Sequence, residues 1–138
     1  MKPTLYLCGG IYNLTKKQQK EWRNQVKKEL SKHYKIIDPT NKPYTGRNQK
    51  EIVEYDKQNI IRSDVIIVNA TKPSWGTAME ILYAYQHHKK IIVFTKDKNP
   101  WLEYHSTVIC ETLQQVIITT KIWVNVYKSL EKIKKETT

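Results

Sequence analysis

Apolar residues fall along this chain in two rhythms. Short, nearly unbroken runs occur at residues 4–8 (TLYLC), 34–37 (YKII), 65–68 (VIIV), 90–95 (KIIVFT) and 107–110 (TVIC). They are rich in β-branched residues and suit strands covered on both faces, the kind found in parallel sheets. Between them the spacing becomes helical. Trp22, Val26 and Leu30 form one stripe over 15–30, and Ile52, Val53, Tyr55, Asn59 and Ile60 give 49–62 an apolar side. Met79, Ile81, Leu82 and Ala84 suit a packed helix after Thr77. Trp123, Val126, Tyr127, Leu130 and Ile133 mark a last helix over 111–135, with a break expected near Thr119 and Thr120. Strands alternating with helices through short loops predict an α/β fold. The expected form is one domain over residues 1–138, a five-stranded parallel sheet with helices on both faces, Rossmann-like or flavodoxin-like. Residues 41–48 and 96–106 read as loops, and 134–138 as a frayed end. There is no internal repeat and no low-complexity segment.

The chain is organised around residues 63–84. Here a buried strand leads through Pro73, Ser74, Trp75, Gly76 and Thr77, all turn or cap types, into a helix. Glu80 is expected in the first turn of that helix, just outside the carboxyl end of the strand. Open α/β sheets place their ligands there. A helix N-terminus stabilises a carboxylate as the anion, and an ionised carboxylate can act as base or nucleophile. Asp56 falls one turn after Ile52 and one before Ile60, near the packed face of its helix. A carboxylate there needs a partner or a purpose; a salt bridge to Arg62 or a nearby lysine is the structural alternative.

Gly9 and Gly10 follow the first strand, where paired glycines let backbone approach a ligand closely. A tight turn accounts for them equally well, because the third glycine of a dinucleotide fingerprint and the Lys-Ser/Thr of a phosphate loop are both absent. Tyr12 and Asn13 lie in the same loop. Asp38 ends a strand before Pro39, a position from which it touches ligand or initiates a turn. Arg47 sits in a polar loop and is a candidate anion contact, with a solvated loop as the alternative. Trp22 reads as core. Trp75 either offers its ring for stacking on a ligand or closes the turn by packing, and packing is the favoured of the two.

Charge narrows the partners. The chain has 138 residues with 24 Lys and Arg against 13 Asp and Glu, a formal charge of +11. That excess favours anionic partners. Many lysines fall in 16–35 and 121–135, which read as solvated helix faces. No zinc-finger, helix-turn-helix or RNP-like pattern is present, so nucleic acid is not the expected partner. Cys8 and Cys110 lie in apolar runs and are expected as buried free thiols of a reducing cytoplasm. No metal-ligand spacing, signal-peptide pattern or membrane-length apolar run is seen. A cytoplasmic protein without membrane contact is expected.

YLCGG near the start, then Asp56, then SDVIIVNA, then GTAMEILYA, together and in that order, resemble the nucleoside 2-deoxyribosyltransferase superfamily. That superfamily includes nucleoside 5′-monophosphate N-glycosidases. The resemblance covers residues 4 to about 117. It implies a five-stranded parallel sheet, no cofactor, and a homodimer or higher homo-oligomer. It makes Glu80 the nucleophile and Asp56 the aspartate beside sugar and base. Tyr12, or else Tyr6, would be the tyrosine that positions the glutamate, with Tyr12 preferred. Gly9 and Gly10 would lie under the nucleotide. The transferases commonly carry an acid six residues before the glutamate; here that residue is Ser74, which resembles a phosphate-binding serine of the monophosphate-cleaving branch. Trp75 and Gly76 flank it. Ser106, with His105, resembles a further phosphate contact on a loop that reaches a neighbouring subunit's site. The implied activity is hydrolysis of the N-glycosidic bond of a (deoxy)nucleoside 5′-monophosphate through a glycosyl-enzyme. The alternatives are base exchange on free 2′-deoxynucleosides and a nucleotide-binding module without turnover. Base selectivity is expected from residues 42–50 and Trp75.

Overall fold

The computed structural model describes residues 1–41 and 46–137. The elements run β1 (Thr4–Gly9), α1 (Lys16–Leu30), β2 (Lys35–Ile37), a 3-10 turn (Pro39–Asn41), α2 (Gln49–Arg62), β3 (Val65–Asn69), α3 (Trp75–Gln86), β4 (Lys90–Phe94), α4 (Pro100–His105), β5 (Val108–Cys110) and α5 (Leu113–Thr137). The five strands form one parallel sheet in the order β2-β1-β3-β4-β5. The expected α/β architecture is therefore present. The chain reverses its direction of travel across the sheet between β1 and β3. The loops leaving these two strands diverge and open a crevice at their carboxyl ends.

Strand alternation sorts the core into two layers. Leu5, Leu7, Val65, Ile67, Ile92 and Phe94 face α1 and α5, meeting Trp22, Val26, Leu30, Val116, Ile117 and Val124. Tyr6, Cys8, Ile66, Val68, Ile91 and Val93 face α2 and α3, meeting Ile60, Ile81 and Ala84. Trp22 is core as expected, packed edge-on against Phe94. Cys8 and Cys110 are buried free thiols. Among the described residues, no helix is long and apolar enough to cross a membrane.

Three local expectations are corrected. Residues 96–106 are not all loop, since Pro100–His105 form α4. Asn99 caps it, its Oδ1 accepting from the N–H groups of Trp101 at 2.8 Å and Leu102 at 3.4 Å, and Pro100 supplies the preset first residue. The last helix is unbroken at Thr119 and Thr120. The Thr120 hydroxyl donates back to Val116 O at 2.7 Å, which satisfies a buried polar group without opening the helix. Finally, α3 begins at Trp75 and not after Thr77.

Candidate active site

The early start of α3 decides where Glu80 stands. Ser74 is the N-cap, and its hydroxyl accepts from Thr77 N–H at 3.3 Å. Glu80 is then the sixth residue of the helix, in its second turn. The favourable field of a helix N-terminus falls off within the first turn, so it does little there. Burial dominates instead. Loss of water pushes the Glu80 carboxyl up to about 7, helped by the charge of Asp56. Hydrogen bonds from Tyr6 and Cys8 and the charge of Arg23 act in the opposite direction. The expectation of a carboxylate held as the anion by the helix is thus overturned. Desolvation penalises the charged form more than the dipole and hydrogen bonds reward it.

The contact that defines the site is short. Tyr6 Oη donates to Glu80 Oε2 at 2.6 Å. Tyr6 is nearly sealed from solvent, and burial together with Glu80 and Asp56 raises its phenol well above the ordinary value, so it remains a donor. Cys8, two residues on along β1, points to the same face by strand alternation. Its thiol hydrogen-bonds Glu80, and burial raises it strongly too. Asp56 comes from α2, the helix beside α3 in this layer, and its charge is felt by both Glu80 and Tyr6. Residues 6, 8, 56 and 80, from three elements, therefore converge.

The tyrosine on Glu80 is Tyr6, not Tyr12 as the sequence reading preferred. Tyr12 lies beyond the strand in the following loop, 67% exposed. Strand position 6 is fixed by the sheet and faces α3, whereas a loop residue carries no such constraint.

Gly9, Gly10, Ser74, Trp75 and Gly76 are at the crevice. Gly9 is the last residue of β1. A Cβ there would stand 2.8 Å from Trp22 Cζ2, so packing under the sheet requires glycine. A Cβ at Gly10 would meet Leu14 Cδ1 at 3.0 Å and Ser74 Cβ at 3.9 Å, which puts this turn directly against the cap of α3. Gly10, Tyr12, Ser74, Trp75 and Gly76 line a cleft of about 710 Å³ with Lys17 and Lys72. Ser74 and Trp75 also wall a neighbouring cleft of about 510 Å³ that reaches Thr77 and Trp101. Glu80 lines neither cleft. Trp75 is 87% exposed, so the expected packing role is not observed. Its ring stands at the crevice as an open aromatic surface.

His105 and Ser106 are not brought to Glu80 within one chain. Because residues 100–105 are helical, they carry the chain back across the sheet, and His105 and Ser106 arrive just before β5, at the sheet's amino edge. Ser106 Oγ donates to Leu102 O at 2.5 Å, and His105 sits among Trp101, Tyr85 and Tyr104. Arg47 pairs with Glu51 at 4.0 Å and lies over the Tyr55 ring at 4.9 Å; its buried Nη1 has no hydrogen-bond partner among the described residues. Residues 42–45, the heart of the expected base-selectivity loop, lie outside the described residues. Asp38 initiates a turn, its Oδ1 accepting from Thr40 N at 2.8 Å and Thr40 Oγ1 at 2.6 Å.

Two residues near the site were missed by sequence reasoning. Cys8 was read only as a buried thiol, although alternation with Tyr6 placed both on one face. Arg23 was overlooked altogether. It is fully buried, yet it shares a helical stripe with Gln19, Val26 and Leu30. A cation on a core stripe was the available signal.

A model of the family described as nucleoside 2-deoxyribosyltransferase matches residues 5–122. Among solved structures, the fold is similar to a CMP N-glycosidase of Clostridium botulinum, BcmB, with a TM-score of 0.63 and 19% identity over 87% of this chain and 98% of that one. It is also similar to a 2-deoxyribosyltransferase of Bacillus psychrosaccharolyticus, with a TM-score of 0.68 and 17% identity over 83% and 90% of the two chains. A third likeness is to the 2-deoxyribosyltransferase of Leishmania mexicana, with a TM-score of 0.57 and 22% identity over 74% and 70%. No curated protein sequence matches significantly.

Proposed function

Since the chain belongs to the nucleoside 2-deoxyribosyltransferase family, we propose that it hydrolyses the N-glycosidic bond of a nucleoside 5′-monophosphate, with Glu80 as the nucleophile. One observation carries the reading. A desolvated carboxyl, raised to about 7, is gripped on one oxygen by Tyr6 at 2.6 Å. Tyr6 holds Oε2 and so fixes the carboxyl's orientation.

In the first step Glu80 Oε1 forms a bond to C1′ as the bond from C1′ to the base nitrogen breaks. The electron pair stays with the base, which takes a proton from Asp56. The transition state resembles an oxocarbenium ion, as in glycoside hydrolysis. In the second step water attacks C1′, its proton passes to Asp56, and the ester electron pair returns to Glu80. Splitting the displacement into two steps is the benefit of a covalent route. Asp56, close enough for its charge to be felt at Glu80, alternates between acid and base.

The phosphate reading rests on Ser74 and Gly10. The Ser74 oxygen accepts from Thr77 N–H, which leaves its own O–H to donate to a phosphate oxygen. The start of α3 adds a favourable field for an anion. Lys17 and Lys72 line the same cleft. Base exchange on 2′-deoxynucleosides is the second reading, favoured by the description of the matching family model.

The test is a panel of ribo- and deoxyribonucleoside 5′-monophosphates and the corresponding nucleosides, with and without an added acceptor base. Released base is separated by chromatography, and Glu80→Ala provides the background. Base release from monophosphates in water, lost in Glu80→Ala, is the expected result. Turnover of free 2′-deoxynucleosides that requires an acceptor base would replace it with the transferase reading. Tight binding without release of any base would make the protein a nucleotide-binding module.

A further inference from the structure

We propose that Arg23 is a positioning residue for this site, standing in for the missing end of β2 and holding the carboxyl end of β1 in the register that presents Tyr6 and Cys8 to Glu80. The inference rests on the reading of Glu80 as the nucleophile.

The argument begins with hydrogen-bond parity in the sheet. Lys35 N–H donates to Pro3 O, whereas Asp64 N–H donates to Thr4 O. Odd-numbered residues of β1 thus turn their backbone groups to β2, and even-numbered ones to β3. The β1–β2 register is Thr4↔Lys35, Leu5↔Ile36 and Tyr6↔Ile37, and there β2 ends. On the other side β1 stays paired to β3 as far as Gly9↔Asn69. The β2-facing carbonyls of Leu7 and Gly9 therefore outlast their partner strand. By the same parity, the next donor to Leu7 O would be the N–H of residue 39. Residue 39 is proline, which has none.

Arg23 fills that gap from α1. Its Nε and Nη2 both donate to Leu7 O at 3.3 Å, and Nη2 donates to Gly9 O at 3.1 Å. Nη1 donates to Gln19 O at 2.6 Å, tying the guanidinium to its own helix. Asp38, the residue just after β2, balances the charge with Oδ1 3.7 Å from Nε, and Lys27 meets the other carboxylate oxygen at 2.5 Å. A planar fork with five N–H groups can serve several carbonyls at once; an ammonium cannot. A side chain with no exposed surface has given up all its hydration. The carbonyls it satisfies would otherwise be buried and unpaired.

The clamped segment is the one that matters. Leu7 and Gly9 flank Cys8, and Gly9 leads into Gly10 at the crevice. The charged and titratable groups around Glu80 are Tyr6 and Cys8 from β1, Asp56 from α2 and Arg23 from α1.

The test compares wild type with Arg23→Met, Arg23→Lys and the double variant Arg23→Met/Pro39→Ala. Titration of Glu80 is followed by carbon NMR of labelled glutamate, amide exchange is read over residues 7–10, and kcat is measured for base release. Arg23→Met should move the Glu80 midpoint upward, speed exchange over 7–10, and lower kcat about tenfold or more, as small misplacements of a reacting group do. Arg23→Lys should hold the midpoint near wild type but lose part of kcat. Pro39→Ala restores the missing N–H and should recover exchange protection in the Met background. An unchanged midpoint and unchanged exchange in Arg23→Met would overturn the proposal. If that variant does not fold, Arg23→Lys with and without Pro39→Ala decides, and wild-type exchange and kcat in Arg23→Lys alone overturn it. A wild type that releases no base would refute the enzymatic reading, while the titration and exchange measurements would still judge the clamp.

Discussion

Burial pushes the Glu80 carboxyl up from its ordinary 4.5 to about 7, and the shift has two consequences with opposite pH dependence. Between these values the folded chain binds a proton that the unfolded chain has released. Stability therefore falls as pH rises from about 4.5 to 7 and is level above that. Activity that needs the carboxylate rises through the same region. The expected outcome is a kcat/KM profile with an acidic limb near pH 7 while the melting temperature declines over the same range. Glu80→Gln should abolish base release and raise stability at pH 8 by roughly 1–3 kcal/mol, since it removes the desolvated charge and keeps the shape; thermal melts at pH 5 and pH 8 check this. A second pair of variants separates the two tyrosines. Tyr6→Phe removes the 2.6 Å hydrogen bond, so it should cut kcat roughly 10- to 100-fold and shift the acidic limb upward, since that bond lowers the Glu80 value. Tyr12→Phe should leave the limb in place. Both tyrosines were visible in the sequence, and Tyr6 sat on a strand whose alternation was legible. Which strand face α3 would cover was not, because that depends on packing 74 residues away.

At the scale of elements, the start of α3 carries most of the consequence. Ser74 caps the helix and also faces the crevice beside Gly10. Ser74→Ala should cost about 1 kcal/mol as a lost cap. It should also raise KM for 5′-monophosphates several-fold while leaving KM for free nucleosides unchanged, a split that steady-state assays on both substrate classes will read. A cap without a phosphate role gives the stability loss alone. The sequence reading placed this turn correctly but began the helix after Thr77, because Trp75 and Gly76 are turn types by composition. Tertiary context and the Ser74 cap override that preference. The same reasoning explains α4. Asn99-Pro100 is a helix-start pair as well as a turn pair, and the helix it begins removes His105 and Ser106 from Glu80 of their own chain.

For the molecule as a whole, a charge of +11 is spread over a parallel sheet whose crevice opens between β1 and β3. Positive potential of this size attracts anionic substrates, and salt screens it over about 10 Å at 0.1 M ionic strength. Raising ionic strength from about 0.05 to 0.5 M should lower kcat/KM for a 5′-monophosphate several-fold. The same change should have little effect on an uncharged nucleoside. Equal salt dependence for both substrates would mean that the surface charge serves solubility alone.

The five strands, four of the five helices and the two core faces were legible along the chain, and so was the ordered motif pattern that holds Asp56 and Glu80. Each depends on periodicity or ordered motifs, which are local or one-dimensional. Other features belong to the tertiary structure. These are the tyrosine that holds Glu80, the burial that raises its carboxyl to about 7, the separation of Ser106 from the site, and the guanidinium that replaces the end of β2. Desolvation and carbonyl pairing sum over neighbours from several elements, and no stretch of sequence contains that sum. Even the gap at Pro39 became visible only when the β1–β2 register showed which carbonyl it fails to meet.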